Sequence, residues 1–211
     1  MEKKRTKKAL IALMCACLLV AGSVSATMAW LSSTTDTVTN TFTAGKVAIT
    51  LDESDVNEYG VVDGTDRVKT NADYILIPGH EYIKDPIVHF ADKSEASWLF
   101  VKVEISNDIA AIECSEDGDS TGTYKPIAMQ ISNNGWSALP GETDVYYKEV
   151  LKNTTGSAAD YPVFGTFVVD PDADAGKIDA CNGDTIKVTA YAVQKDGVAD
   201  AATAWGIITT P

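Results

Sequence analysis

The residues of this sequence that could perform chemistry are two histidines, three alternating aspartates and two cysteines. The histidines, His80 and His89, lie nine residues apart. A helical zinc hydrolase site places two histidines four residues apart, with a glutamate between them as general base. His80-Glu81 has no second histidine at that distance. Because His80 lies in a Pro-Gly turn and His89 lies next to Phe90, we interpret both histidines as structural.

Motifs for nucleophilic or phosphate chemistry are also missing from the sequence. It contains no Gly-x-Ser-x-Gly elbow and no glycine-rich phosphate loop. The sequence therefore predicts a protein that is not an enzyme and that needs no cofactor.

The aspartates Asp170, Asp172 and Asp174 alternate, so their carboxylates could point at one calcium ion. The following Gly176 comes one place late for an EF-hand loop, and the twelfth position is Cys181 where that loop has glutamate. The segment is thus a weak calcium candidate. An ordinary solvated acidic loop is the favoured interpretation, and no metal site is predicted.

The cysteines Cys114 and Cys181 are the two that follow residue 29. An even pair outside the cell permits one disulfide, but the spacing does not show that the two residues meet. The bridge and two separate thiols both remain open.

The chain begins with a pattern typical of an export signal. Five basic residues and one acidic residue occupy positions 2–8, and residues 9–20 are continuously apolar. Small residues precede Ala29, which predicts cleavage between Ala29 and Trp30, with Ala26 as the alternative site. An uncleaved anchor helix is the other interpretation, but the strongly apolar stretch is short for a membrane span.

Removal of residues 1–29 leaves 12 basic and 29 acidic residues, a net charge of about −17. Such a charge repels nucleic acid and anionic membranes, so we expect no nucleic-acid partner and membrane contact only through the uncleaved leader. About 180 residues remain, enough for one domain with a sizeable core. The predicted location is extracellular, secreted or associated with the cell surface.

Alternation of apolar residues dominates the rest of the chain. Val47, Ile49 and Leu51 share one face, and a second such face is formed by residues 99–105. Further predicted strands cover residues 73–77, 87–90, 127–131, 145–151, 161–169 and 185–194. Turn-rich pieces separate them, so the fold class is all-β, an antiparallel β-sandwich or jelly roll.

The rest of the chain is expected to connect these strands. One or two short helices are predicted, at residues 172–180 and 198–205, and a long polar loop at residues 52–69. The domain organisation is a signal helix at 1–29, an arm at 30–43 and a β-sandwich domain at 44–211. The arm is rich in Thr and Ser, which suits a late-added strand or an exposed segment.

A family resemblance is carried by the run AWLSSTTDTVTNTFTAGKV at residues 29–47. It has an aromatic residue just after the cut, a Thr-rich segment, and then Phe-Thr-x-Gly-x-Val. This run resembles the start of TasA and camelysin-like secreted proteins of Gram-positive bacteria, which are exported with SipW-type signal peptides. Further stretches that look like the clostridial branch are residues 76–79, 86–88, 98–103, 188–194 and 204–205.

This resemblance implies a jelly-roll sandwich, cleavage by a SipW-type signal peptidase, and self-assembly into extracellular fibres of the biofilm matrix. In such fibres the arm of one subunit completes the sheet of the next. Residues 30–43 would be the donor strand here, because an extended arm can pair with a free sheet edge. Its anchors would be Trp30, Leu31, Val38 and Phe42. Alternatively, the arm forms the first strand of its own domain or stays without fixed structure.

The leading hypothesis is therefore a secreted structural protein of the cell surface or matrix. One alternative is a monomeric adhesin or ligand-binding module that uses loops such as residues 52–69. A second is a metallopeptidase, since camelysin-like relatives are sometimes described as such, and the histidine spacing argues against it.

Overall fold

The computed structural model describes residues 46–71, 74–115 and 124–210. The predicted leader and arm, and with them Ala29, Trp30, Leu31, Val38 and Phe42, lie outside these residues. The strands are β1 Ile49–Val56, β2 Val62–Val68, β3 Glu81–Ile83, β4 Ile87–Phe90, β5 Ser97–Ile105, β6 Ser137–Ala138, β7 Val145–Val150, β8 Ala159–Pro162, β9 Thr166–Val168 and β10 Ile186–Gln194. The helices are α1 Asn107–Ala111, α2 Ile127–Asn133, α3 Ala175–Ala180 and α4 Ala201–Thr209.

The strands form antiparallel sheets, which confirms the predicted all-β class. One four-stranded sheet has the order β2-β1-β4-β8, and the other has the order β10-β5-β7-β6. A third, two-stranded sheet pairs β3 with β9. The longest pairing joins β10 to β5 over nine residue pairs, from Ile186↔Ile105 to Gln194↔Ser97.

Both four-stranded sheets contribute to one hydrophobic core. Ile49, Val88 and Phe90 come from the first sheet, and Leu99 and Val101 come from the second. The alternation read from the sequence is confirmed at both strands, because the residues of the two predicted faces are those that pack here. Helices α1 and α2 add buried isoleucines to the same core.

A second hydrophobic cluster lies on the other face of β5. Here Trp98 and Phe100 pack with Ala204 and Trp205 of α4. Strand β5 is therefore buried on both faces in its first half, which explains its continuous apolar run Trp98–Val101. Asp200 caps α4 by accepting a hydrogen bond from Thr203 N at 2.8 Å.

Several predicted elements differ from the structure. Residues 127–131 form helix α2 where a strand was predicted, because Ile127 and Ile131 are four residues apart and satisfy both a strand and a helix period. No strand covers residues 74–77, and residues 161–169 divide between β8 and β9. The predicted loop at 52–69 contains β2 and the end of β1.

The observed helices agree more closely with the sequence-based prediction than the strands do. Helix α3 lies within the predicted segment 172–180, and α4 overlaps the predicted segment 198–205. The described residues contain four helices instead of one or two. None of the helices in this described part is long and apolar enough to cross a membrane.

Candidate functional site

The two histidines occupy different environments. His80 Nε2 lies 2.8 Å from the backbone oxygen of Tyr59, and its ring contacts that of Tyr82 edge-on. His89, on β4, lies between two carboxylates: Nδ1 is 2.6 Å from Asp160 Oδ1 and Nε2 is 3.0 Å from Asp52 Oδ1. Both ring nitrogens of His89 are thus engaged, which leaves neither ready to act as a base toward a nucleophile.

His89 belongs to an outer polar cluster that connects strands of the first sheet. Arg67 of β2 places Nε 2.5 Å from Asp52 Oδ1 and Nη1 3.1 Å from Asp85 Oδ2. Ser54 donates a hydrogen bond from Oγ to Asp85 Oδ2 at 2.8 Å. The register explains this arrangement, because Ser54 faces Arg67 and His89 faces Asp160 across adjacent strands.

In the outer polar cluster, each charged group stabilises the charged form of its neighbours. Burial lowers the pKa of His89, but hydrogen bonds and charges of Asp52 and Asp160 outweigh that effect and hold the pKa above its usual value. Burial raises the pKa of Asp52, whereas its contacts with His89 and Arg67 bring the pKa below the usual value. The cluster therefore links β2, β1, β4 and β8 through ion pairs and hydrogen bonds.

A second polar group lies on the inward side of β1. Glu53 is 9% exposed and follows the inward alternation of Ile49 and Leu51. Its carboxylate meets Lys84 Nζ at 2.8 Å, and Asn71 Nδ2 donates to it at 2.9 Å. A buried carboxylate needs such partners, because an unpaired buried charge is strongly unfavourable.

This pair lines a cavity of about 770 Å³, here called the β1–β10 cavity. Leu51 and Glu53 of β1 form one wall, and Ile186 and Val188 of β10 form another. Its remaining lining includes aromatic and aliphatic residues from β3, β9 and the helices, namely Tyr82, Phe167, Ile109 and Ile178. A volume of this size is typical of small-molecule sites.

Two buried polar atoms of the cavity lining have no hydrogen-bond partner. They are Tyr74 Oη and Asp184 Oδ2. Burial raises the pKa of Tyr74, and the charges of Glu53 and Asp85 raise it further, so its hydroxyl remains a donor. Sequence reasoning missed this cavity because residues 52–69 were interpreted as a loop. The inward alternation Ile49, Leu51, Glu53 was the signal that could have placed Glu53 inside.

The acidic candidates for calcium make local hydrogen bonds. Asp170 Oδ1 accepts from Asp172 N at 2.9 Å, and Asp174 caps α3 by accepting from Lys177 N at 3.0 Å. Asp172 is exposed. Across residues 46–71, 74–115 and 124–210, no group of three or more His, Cys, Asp or Glu side chains is arranged to hold a metal ion.

The two cysteines lie in different clusters. Cys114 packs with Tyr124 and Val168, whereas Cys181 packs against the main core. Cys181 carries a free thiol that donates to Lys177 O at 3.3 Å, so the bridge to Cys114 is not formed in this structure.

Comparison with known proteins identified no relative of this chain. No family model, no curated protein and no solved structure matches this chain. The resemblance carried by residues 29–47 therefore remains a prediction from the residues themselves.

Proposed function

We propose that this chain is an exported structural protein of the bacterial cell surface or biofilm matrix, which acts through contacts and not through catalysis. Its body would be a jelly-roll-like β-sandwich, preceded by a signal helix that a SipW-type signal peptidase removes after Ala29. The new N-terminal arm, residues 30–43, would then pair with the sheet of a second copy. The TasA and camelysin-like resemblance of residues 29–47 supports this assignment.

The observation that carries the proposal is the outer edge of β10, on the side away from β5, which pairs with no other described strand. Within the described part of the chain, β10 pairs only with β5. Ser106 N donates to Thr185 O, and Lys195 N donates to Ala96 O, so odd-numbered residues bond to β5 at both ends of the strand. Because antiparallel pairs alternate, the even-numbered residues direct their N–H and C=O groups away from β5. These residues are Ile186, Val188, Ala190, Ala192 and Gln194.

Among the described strands, the outer edge of β10 suits an added strand better than the other sheet edges do. Strands β8 and β6 have four and two residues, and β2 is mostly exposed on both faces. The fourteen-residue arm can pair along all nine residues of β10. Unpaired N–H and C=O groups on an edge of this length are a template for another chain.

Electron microscopy of the purified protein tests the proposal. One protein begins at Trp30 and the other begins at residue 44. We expect fibres from the first and separate particles from the second, because only the first has an arm to donate. Identical non-fibrous particles in both preparations would contradict fibre formation.

Two double variants of the full-length arm separate the role of the anchors from the effect of shortening the chain. The double variant V38S/F42S removes two anchors from the arm, whereas T37S/T41S changes two neighbouring residues that are not anchors. We expect fibres to be lost in the first variant and kept in the second. Equal fibre yields from both variants would show that Val38 and Phe42 do not hold the arm.

A further inference from the structure

One carboxylate in the interior of the protein contacts both an amine and a carboxamide. Lys84 Nζ lies 2.8 Å from Glu53 Oε2, and Asn71 Nδ2 donates to Glu53 Oε1 at 2.9 Å. The side chains of Glu53 and Lys84 are 11% and 12% exposed. Glu53 belongs to β1, Lys84 directly follows β3, and Asn71 follows β2, so only the fold brings them together. An amine, a carboxamide and a carboxylate are the groups needed to form an amide bond between two side chains.

The backbone of β1 determines the orientation of the Asn71 carboxamide. Val56 N donates to Asn71 Oδ1 at 2.9 Å, and Asn71 Nδ2 donates to Ser54 O at 3.0 Å. A donor on one side and a carbonyl oxygen on the other identify which atom of the amide is oxygen and which is nitrogen. The N–H of Val56 is therefore placed to stabilise a negative charge on Oδ1, as a donor of an oxyanion hole does.

Glu53 contacts both nitrogen atoms whose protonation must change in such a reaction. Attack by Lys84 Nζ requires a base, because an ammonium group has no free lone pair to act as a nucleophile. Departure of Asn71 Nδ2 as ammonia requires an acid that protonates it. Since one oxygen of Glu53 lies on each nitrogen, the same carboxylate can act first as the base and then as the acid.

We propose that Lys84 and Asn71 become joined by an amide bond between their side chains, an isopeptide bond, with Glu53 as the catalytic residue. Glu53 takes a proton from Lys84 Nζ, which shifts from the carboxylate to attack the amide carbon of Asn71 with its lone pair. The electron pair of the C=O double bond moves onto Oδ1, beside the N–H of Val56.

The second half of the reaction releases ammonia. Glu53 returns its proton to Asn71 Nδ2, the C=O double bond forms again, and the bond from the amide carbon to Nδ2 breaks with its electrons going to ammonia. The extra proton on Lys84 Nζ passes through Glu53 to the ammonia, which leaves as ammonium. One carbon–nitrogen bond forms and one breaks, nothing is oxidised or reduced, and no co-reactant is needed.

The bond would constrain a segment that has little strand pairing of its own. Residues 74–80 lie between the two joined positions, and no strand covers them. A covalent link between Asn71 and Lys84 reduces the conformational freedom of this segment in the unfolded chain. This modification goes beyond the proposed structural function and does not depend on fibre assembly.

Mass spectrometry of the folded, full-length protein tests the proposal after reduction, unfolding and digestion with a protease that cuts after glutamate. Asn71 lies in the peptide 59–81 and Lys84 in the peptide 82–95. We expect the two as one branched peptide, lighter than their sum with water removed at no other position by one ammonia molecule. Two separate peptides, with or without loss of ammonia at Asn71, would overturn the proposal. Loss of water with Lys84 joined to Glu53 would also overturn it.

Three variants separate this reaction from a network of ordinary polar contacts. Glu53→Gln keeps the size of the side chain but removes the base, and should lower the yield of branched peptide by about 100-fold. Lys84→Arg keeps a positive charge for Glu53 and should abolish the product. Lys69→Arg, the control, changes another lysine of the cavity lining and should keep the parent yield.

Circular dichroism checks that each variant is folded. If Glu53→Gln does not fold, Glu53→Asp keeps the charge, withdraws it from the two nitrogens, and should lower the yield as well. A folded Glu53→Gln protein with the parent yield would overturn the catalytic role of Glu53. A branched peptide that persists in Lys84→Arg would overturn the assignment of the bond to Lys84.

Discussion

Tyr74 and Tyr82 pack against each other, but their hydroxyl groups differ in hydrogen bonding. Their rings meet edge-on, with centroids 5.7 Å apart. The hydroxyl of Tyr82 donates to Ile75 O at 2.6 Å and accepts from Ile77 N at 2.7 Å. The hydroxyl of Tyr74 is buried without a partner. The first hydroxyl fixes the segment at residues 75–77 although that segment has no strand pairing.

These two tyrosines give a matched pair of stability predictions. Tyr82→Phe leaves Ile77 N and Ile75 O without their partner and should lower the free energy of unfolding by about 1–3 kcal/mol. Tyr74→Phe removes an unsatisfied group and should change it by no more than about 0.5 kcal/mol. Urea unfolding followed by circular dichroism measures both. Equal losses in the two variants would contradict this account of the hydrogen bonds.

At the scale of the strands, the outer polar cluster joins β8 to β1 through His89. Strand β8 has four residues and pairs only with β4 among the described strands, so side-chain contacts matter more for it than for β5. Protonated His89 attracts both Asp52 and Asp160. The folded protein therefore favours the protonated ring, as the raised pKa of His89 indicates.

The direction of the pH dependence follows from that raised pKa. A group with a higher pKa in the folded state stabilises the fold fully below its unfolded pKa of about 6.5, and the contribution is lost as pH rises through the folded pKa. His89→Gln should therefore destabilise the protein more at pH 5 than at pH 9, by up to about 1 kcal/mol. Urea unfolding at both pH values measures the difference. His80→Gln is the control, because the ring of His80 contacts the backbone oxygen of Tyr59, whereas His89 contacts two carboxylates.

Either of two outcomes would contradict this prediction. One is an equal effect of His89→Gln at pH 5 and pH 9. The other is a greater loss at pH 9, which would reverse the sign of the linkage.

Much of this element structure was predictable from the sequence because the strands are half-buried. Alternation placed β1, β5 and β10 within a few residues of their observed positions. It failed at α2, where the two buried isoleucines fit both periods, and Asn134-Gly135 ends a helix as readily as a strand. It also failed at β2, since a strand exposed on both faces has no apolar alternation to find.

The candidate site was less predictable because its residues meet only through the tertiary fold. Glu53 and Lys84 are separated by 31 positions, and each looks like an ordinary surface charge in the sequence. Glu53 points inward because it continues the alternation of Ile49 and Leu51 along β1. The unpartnered hydroxyl of Tyr74 could not be read from the sequence at all, since every neighbouring residue had to be placed first.

At the scale of the whole molecule, the two sheets differ in what their edges expose. Among the described strands, the second sheet ends in β6, which has two residues, and in β10, which has nine. Proteins usually protect long edges with charges, prolines or bulges. The nine residues of β10 include one charged residue, Lys187, and no proline. This edge is therefore the one that the proposed fibre would use.

Ala192→Pro tests that role of the β10 edge. Ala192 directs its N–H away from β5, so proline should remove a donor for the added strand while keeping the β5 pairing. We expect fibres to disappear in electron micrographs, with unfolding free energy changed by no more than about 1 kcal/mol. Ala192→Val keeps the N–H and should still form fibres. If Ala192→Pro fails to fold, Gln194→Pro places the same block at the strand end. Fibres from a folded proline variant, as abundant as those of the parent, would show that assembly uses a different edge.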